Sequence, residues 1–143
     1  MKERDLIFIS AYLKLLEMKL LIIDDTNDIT DLFAKVLGTL GHEIVTSDNG
    51  IEGLDLMMKQ KFDAILLDIA MPDFTGLDVI DKLIETDKIR DSLIVLLTAS
   101  SITDAEVKEL VKKGVHSCLR KPVKIEILLE KMDELNVAIQ ARV

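Results

Sequence analysis

Short apolar runs alternate with helical apolar stripes along most of this chain. Five runs of four or five residues, several of them rich in β-branched side chains, are typical of strands buried in a parallel sheet; they are residues 20–23, 43–46, 64–67, 93–97 and 115–119. The segments after them carry apolar residues at three- and four-residue steps, which predict amphipathic helices. Strand and helix thus alternate five times, and this alternation predicts one α/β domain with a doubly wound parallel sheet and helices on both faces.

The helical stripes also predict which residues face the core. Gly41 follows the first stripe and Gly114 the fourth, and glycine in that position commonly ends a helix. In chain order, the stripes are Ile29, Leu32, Phe33, Val36 and Leu40; Leu54 with Met57 or Met58; Leu77, Ile80 and Ile84; Val107, Leu110 and Val111; and Ile125, Leu128, Met132, Leu135 and Ile139.

Polar side chains collect where the predicted strands end. Four of the strand ends carry, in chain order, Asp24 and Asp25, Asp68, Thr98, and Arg120 with Lys121. In an open α/β sheet the ligand site lies outside the carboxyl ends of the strands. Any one of these residues could instead cap a helix or lie in solvent. Three acids on neighbouring loops repel one another, however, unless a hard cation such as Mg²⁺ lies among them, and a lysine and a hydroxyl beside that cation would bind an anion. Together they indicate a site for a metal and a phosphoryl group.

Asp68 is the candidate acceptor of that phosphoryl group. The chain contains neither a P-loop nor a dinucleotide-binding fingerprint, so we expect the phosphoryl group not to belong to a bound nucleotide. A carboxylate can itself serve as a phosphoryl nucleophile. Asp68 is central in the predicted sheet and is followed by the turn IAMPDFTG. The adjacent Asp24 and Asp25 should repel in the metal-free protein, so we expect that replacing either one weakens Mg²⁺ binding and relieves strain in the metal-free fold.

The composition narrows the class of function. The 143-residue chain has a formal net charge of −8, whereas nucleic-acid binding needs a basic face, so we expect no direct nucleic-acid contact. A single cysteine, Cys118, excludes an internal disulfide and a cysteine-based zinc site. This cysteine usage fits a cytoplasmic location, which we predict.

Residues 1–18 form an N-terminal extension before the predicted domain, residues 19–143. One interpretation is a short amphipathic helix with the stripe Leu6, Ile9, Leu13 and Leu16. The apolar run LIFISAYL is far shorter than the roughly 18 residues of a membrane span, so we expect none. The other interpretation is that translation starts at Met18, directly before the first strand.

Four segments, in this order and spacing, resemble those of the response regulator receiver domain, which sensor histidine kinases phosphorylate. They are LLIIDDT at 20–26, LLDIAMPDFTGLDVI at 66–80, LLTAS at 96–100 and LRKP at 119–122. The resemblance covers residues 19 to about 138 and implies a flavodoxin-like five-stranded sheet with the strand order 2-1-3-4-5.

The resemblance also implies a role for each site residue. Asp68 would accept a phosphoryl group from the phosphohistidine of a sensor histidine kinase or a phosphotransfer protein. Lys121 would pair with the phosphoryl oxygens, next to a Lys121–Pro122 bond that is commonly cis in the family, and Thr98 would donate a hydrogen bond to the acyl phosphate. The protein would be a switch with slow self-dephosphorylation and not an enzyme.

For the metal, the resemblance implies Mg²⁺ held by carboxylates and one backbone oxygen. Asp24 and Asp25 would hold the ion directly or through water, and Asp68 with the backbone carbonyl of Ala70 would complete the protein ligands. Ala70 lies two positions after Asp68, and Ser100 lies two positions after Thr98. Both residues are small, so the sequence does not predict the lifetime of the acyl phosphate.

Cys118 departs from the family pattern, because the family usually has Tyr or Phe three positions before the lysine. We therefore expect the aromatic readout to be weak, or to be replaced by movement of the predicted helix 103–113 and the loop before it. The resemblance implies an output in trans through the fourth helix, fifth strand and fifth helix, and the long last stripe also permits a homodimer.

Three other classes of function stay open at this level. A degenerate receiver would bind partners without phosphorylation. The complete set of site residues argues against this alternative. A haloacid-dehalogenase-type phosphatase would need a second acid where Ala70 stands. A flavin-binding protein of the same topology would need a phosphate-binding loop after the first strand.

Overall fold

The computed structural model describes residues 2–5, 17–99 and 102–142. Five parallel strands pair side by side in the order β2-β1-β3-β4-β5, which confirms the predicted fold. The strands are β1 Lys19–Ile23, β2 Glu43–Ser47, β3 Ala64–Asp68, β4 Leu93–Thr98 and β5 Ser117–Arg120. The helices are α1 Asn27–Thr39, α2 Gly50–Lys59, α3 Gly76–Glu85, α4 Asp104–Lys113 and α5 Ile125–Ala141.

Two apolar clusters, one on each face of the sheet, form the core. Successive strand residues point to opposite faces, so Ile65 and Leu67 of β3 belong to one cluster, and Ala64 and Leu66 to the other. Helices α2, α3 and α4 cover the first face, and α1 and α5 cover the second. Every residue of β3 and β4 is buried, which explains why these strands read as continuous apolar runs.

Helix α3 is rotated relative to its predicted stripe, although Ile80 is buried as predicted. Its buried residues are Gly76, Val79, Ile80 and Leu83. Leu77 and Ile84 are exposed, so the prediction is wrong for both. The start of the helix explains the difference: Gly76 packs directly against the backbone of Asp68, and this contact fixes the rotation of α3 about its axis.

Helix α1 is also rotated relative to its predicted stripe. Phe33 and Leu37 are buried, whereas Leu32 and Leu40 are exposed, contrary to the prediction. Leu32 lies about 100° around the helix from Phe33, and Leu40 follows the last helical residue. The face toward the sheet is therefore centred on Phe33 and Leu37.

The other helices follow the predictions more closely. Partly buried against the core lie Leu54 and Met57 of α2, and Val107 and Leu110 of α4. Met58 and Val111 are exposed. In α5 the buried apolar residues are Leu128, Met132 and Leu135, as predicted. None of the helices in the described ranges is long and apolar enough to cross a membrane.

The structure differs from the prediction at the start of β5 and describes only part of the segment before β1. Strand β5 begins at Ser117 and not at Val115, because the Val115 N–H donates to the Leu110 carbonyl and closes the turn at Gly114. Near the N-terminus, residues 3–5 form one helical turn, and Met18 is buried in the core. The predicted stripe from Leu6 to Leu16 lies outside the described residues.

Candidate functional site

Three carboxylates meet at the carboxyl edge of the sheet, as the sequence predicts. Asp24 and Asp25 follow β1, and Asp68 is the last residue of the neighbouring β3. One oxygen from each of the three lies within 4.8 Å of the others. This spacing places all three within reach of one metal ion.

Asp24 and Asp25 have different surroundings, although they are adjacent in sequence. The Asp24 side chain is 0% exposed, and its Oδ1 accepts the Thr26 N–H at 2.8 Å. Its Oδ2 lies 2.8 Å from Lys121 Nζ. The Asp25 side chain is exposed. The Thr26 N–H and the Lys121 ammonium thus offset the charge of Asp24 inside the protein. Replacing Asp24 would remove these contacts, so we no longer expect its replacement to relieve strain in the metal-free fold.

Lys121 bridges the two buried acids. Its Nζ lies 2.8 Å from Asp24 Oδ2 and 3.5 Å from Asp68 Oδ1. Burial lowers the pKa of the Lys121 ammonium, but the hydrogen bond and charge of Asp24 and the charge of Asp68 together raise it above its usual value. The ammonium stays charged, and the Lys121–Pro122 bond is cis, as the resemblance implies.

Asp68 is almost completely enclosed, with 3% of its surface exposed. Its Oδ1 accepts the Ala70 N–H at 3.1 Å. Burial raises the pKa of the Asp68 carboxyl and, although the Ala70 N–H and Lys121 lower it, the neighbouring Asp24 and Asp25 raise it further, so the balance is upward. An added cation would offset the repulsion that favours protonation of Asp68.

The loop after Asp68 is shaped by two features of its sequence. A Cβ on Gly76 would lie 2.8 Å from the Ile69 Cα and closer still to the Asp68 carbonyl oxygen, so only glycine fits there. Thr75 then caps α3: its hydroxyl accepts the Asp78 N–H at 3.2 Å, and Asp78 accepts the Thr75 N–H at 2.9 Å. These contacts fix where the strand ends and the helix begins, and hence the position of Asp68.

Thr98 lies at the same edge, but its hydroxyl points elsewhere. The residue is buried, and its Oγ1 donates to the Ala99 carbonyl at 3.0 Å. A hydrogen bond to a group on Asp68 therefore requires this bond to break first. The role of the Ala70 carbonyl stays a prediction, and Ser100 lies outside the described residues.

The charges around Asp68 fit a divalent cation. Three carboxylates surround the position that the metal would take, and Lys121 is the cation that pairs with the two buried ones. When all are ionised, this group carries an excess of two negative charges, which Mg²⁺ would balance with the oxygen ligands that it prefers. The donor set of the described residues thus suits the predicted metal.

Sequence reasoning did not predict two contacts near the site. The Thr30 hydroxyl lies 3.1 Å from the Thr26 carbonyl oxygen and 3.3 Å from the Asp24 carbonyl oxygen, so it links α1 to the end of β1. Arg120 donates from Nη1 to the Ile102 carbonyl at 2.9 Å and from Nη2 to Asp104 Oδ1 at 2.7 Å. Their signals in the sequence are weak, because a threonine in a helix and an arginine at a strand end are common surface residues.

Comparison with known proteins agrees with this geometry. The family model described as the response regulator receiver domain matches residues 20–133. The chemotaxis protein CheY homolog of Campylobacter jejuni is 31% identical over an alignment of 120 residues that covers 82% of this chain and 92% of that protein. The polar-differentiation response regulator DivK of Brucella anthropi is 28% identical over 110 residues, 77% of this chain and 89% of that protein.

A solved structure shows the same architecture. The CheY-like response regulator receiver domain protein of Methanospirillum hungatei superposes with a TM-score of 0.76 at 28% identity, over 86% of this chain and 97% of that one. Fold, family match and the order of the site residues agree, and the chain belongs to the response regulator receiver domain family of two-component systems.

Proposed function

We propose that the protein is a Mg²⁺-dependent phosphoacceptor switch and that Asp68 is the residue phosphorylated. The observation that carries this proposal is the enclosed Asp68 carboxylate, which has two further acids within 4.8 Å and the Lys121 ammonium at 3.5 Å. A purely structural aspartate at a strand end would need neither neighbour.

Asp24, Asp25 and Asp68 would hold the metal, together with the Ala70 carbonyl. When bound, Mg²⁺ supplies positive charge that screens the carboxylates from the incoming phosphoryl group. Lys121 would supply a second positive charge, because its Nζ already contacts Asp24 and Asp68.

The phosphoryl group would come from the phosphohistidine of a sensor histidine kinase or a phosphotransfer protein. A carboxylate oxygen of Asp68 attacks phosphorus and forms the P–O bond, while the P–N bond breaks and its electron pair stays on the imidazole nitrogen. Positioning and charge neutralisation are the main tasks of the protein in such a transfer. Thr98 would then donate to a phosphoryl oxygen after leaving the Ala99 carbonyl.

The output would be a contact with a partner in trans, through the surface formed by α4, β5 and α5. The same proposal includes slow self-dephosphorylation and no catalytic turnover of a free substrate. One observation favours a second candidate, a receiver that binds its partner without phosphorylation: Cys118 is half-buried beside α4 and is too small for an aromatic readout.

Labelling with a small-molecule phosphodonor separates the two candidates. The purified protein is incubated with acetyl phosphate and Mg²⁺, and its intact mass is measured. We expect the mass to increase by one phosphoryl group, and the group to be removed by hydroxylamine and to be absent in Asp68→Asn or with excess EDTA. A wild-type protein that gains no phosphoryl group under these conditions would contradict the switch and favour the phosphorylation-independent receiver.

A further inference from the structure

The turn between β1 and α1 carries two of the three proposed metal ligands, Asp24 and Asp25. The side chain of Asp24 is buried and is held at both oxygens, by the Thr26 N–H at 2.8 Å and by Lys121 Nζ at 2.8 Å. The side chain of Asp25 is exposed, so packing does not fix its direction. The position of the Asp25 carboxylate therefore depends on the backbone of the turn.

Helix α1 begins without the side-chain cap that three other helices have. Asn49, Thr75 and Thr103 precede α2, α3 and α4, and each of these side chains accepts an N–H from the first turn of its own helix. Thr26 precedes α1, and within the described part of the chain its side chain makes no such bond. Because a cap of this kind helps to fix where the chain enters a helix, the turn before α1 depends on other contacts.

Thr30 supplies a contact of this kind from within α1. The residue is buried, and its hydroxyl oxygen lies 3.1 Å from the Thr26 carbonyl oxygen and 3.3 Å from the Asp24 carbonyl oxygen. A hydroxyl has one proton, so the two carbonyls share it. They belong to the residues on either side of Asp25 in the sequence. The hydroxyl thus holds the backbone before and after the exposed acid.

We propose that Thr30 is a positioning residue that fixes this turn and so makes the site selective for Mg²⁺ over Ca²⁺; this inference rests on the metal site of the proposed function. Mg²⁺ needs near-ideal octahedral geometry with oxygens at about 2.0–2.1 Å, whereas Ca²⁺ accepts flexible arrangements with oxygens at about 2.3–2.6 Å. A fixed turn keeps Asp25 at a defined distance from Asp24 and Asp68, which favours the ion with the stricter geometry. Without the hydroxyl the turn moves more freely, and Mg²⁺ loses more affinity than Ca²⁺.

Metal titration of the unphosphorylated protein tests this role without any phosphodonor. Thr30→Val removes the hydroxyl with little change in shape, and calorimetry measures its affinities for Mg²⁺ and Ca²⁺. We expect the Mg²⁺ affinity to fall about five-fold, the order of change for loss of one hydrogen bond, and the Ca²⁺ affinity to fall less than about two-fold. Thr30→Ala also lacks the hydroxyl and should show the same pattern, so the test does not depend on the folding of one variant.

Two further variants separate the hydroxyl from other effects. Thr30→Ser keeps the hydroxyl and should keep the wild-type preference for Mg²⁺. Thr39→Val is the matched control, because the Thr39 hydroxyl donates to the Lys35 carbonyl at 2.8 Å, also four residues earlier in α1, but at the other end of the helix. Its affinities for both ions should equal those of the wild type.

The two affinities decide between a positioning role and a merely structural one. Equal losses for Mg²⁺ and Ca²⁺ in Thr30→Val would overturn the inference, because a generally weakened site loses both ions alike. An unchanged Mg²⁺ affinity in that variant, or an equal loss in Thr30→Ser, would also overturn it and leave the proposed function intact. A wild-type protein that binds no Mg²⁺ would instead refute the proposed function, and this inference with it.

Discussion

Lys121 lies closer to Asp24 than to Asp68: its Nζ is 2.8 Å from Asp24 Oδ2 and 3.5 Å from Asp68 Oδ1. In the unphosphorylated protein, the ammonium thus offsets mainly the fully buried Asp24 carboxylate. A phosphoryl group on Asp68 would compete for the same ammonium. The pairing of Lys121 is therefore part of the resting state as well as of the proposed chemistry.

Lys121→Met should lower the stability of the metal-free protein. The variant leaves the Asp24 carboxylate buried without its cation. Removing one partner of a buried ion pair typically costs about 3–5 kcal/mol of stability. We expect a loss of about 2 kcal/mol, because the Lys121 side chain is 19% exposed and water therefore weakens the pair. Urea denaturation in EDTA measures this loss. Saturating Mg²⁺ should reduce it, and an equal loss with and without Mg²⁺ would argue against a shared site for the cation and the ammonium.

Asp25→Asn and Asp24→Asn should have different effects, although the two residues are adjacent. Asp25 is exposed, so its replacement should weaken Mg²⁺ binding about ten-fold, with a change in metal-free stability within about 0.5 kcal/mol. Asp24 accepts the Thr26 N–H and pairs with Lys121, so its replacement should also destabilise the metal-free fold by about 1–2 kcal/mol. Calorimetric titration and urea denaturation measure the two effects. Greater metal-free stability of Asp24→Asn than of the wild type would show that repulsion between the acids dominates.

Gly76→Ala should destabilise the protein and disturb the site. The added methyl group would press on the Asp68 carbonyl and the Ile69 backbone, neither of which can rotate away, and overpacking of this kind costs about 1–3 kcal/mol. Gly38→Ala is the matched control: a Cβ at Gly38 in α1 would contact nothing within 4 Å, so it should stabilise the helix by about 0.5–1 kcal/mol. Thermal denaturation of both variants decides this, and equal changes in the two would contradict the close contact at Gly76.

His42 should make stability depend on pH. Burial lowers the pKa of His42 from 6.5, although the Glu17 charge raises it, and the ring Nδ1 accepts the Met18 N–H at 3.1 Å. As the pH falls below 6.5, His42 takes up a proton more readily in the unfolded state than in the folded state. The contribution of His42 to the free energy of unfolding is therefore complete above pH 6.5, and it is lost as the pH falls from there through the lowered pKa.

The His42→Asn variant isolates that contribution. Its side-chain oxygen can still accept the Met18 N–H but does not titrate, so the variant should lose less stability between about pH 7 and 5 than the wild type. Glu17→Gln should lose more, because it removes the charge that raises the pKa of His42. Parallel pH profiles for all three proteins would show that His42 does not titrate differently on unfolding.

The order of the elements was predictable because it depends on short-range patterns. Strands buried on both faces must be continuously apolar, and β3 and β4 are. The rotation of α3 was not predictable, because it depends on the close contact of Gly76 with the Asp68 backbone, a contact between neighbouring elements that periodicity does not record.

The members of the site were predictable, but their pairing was not. Asp24, Asp25 and Asp68 follow from the rule that ligands bind at the carboxyl ends of strands. Lys121 lies closer to Asp24 than to Asp68 because of how the end of β1 and the loop after β5 are placed in the fold. Asp24 and Lys121 are 97 residues apart in the chain, so the sequence pattern does not record this distance. The bonds from Arg120 to Ile102 and Asp104 likewise arise only when β5 and α4 are brought together.

Phosphotransfer from a histidine kinase tests the central claim most directly. A kinase phosphorylated on its histidine is mixed with the protein and Mg²⁺, and the phosphoryl group on both proteins is followed over time. We expect the loss from the kinase to equal the gain on the wild-type chain, with peptide mapping locating the group on Asp68, and no gain on Asp68→Asn. A phosphoryl group that Asp68→Asn gains as fast as the wild type would contradict the assignment of Asp68 as the acceptor.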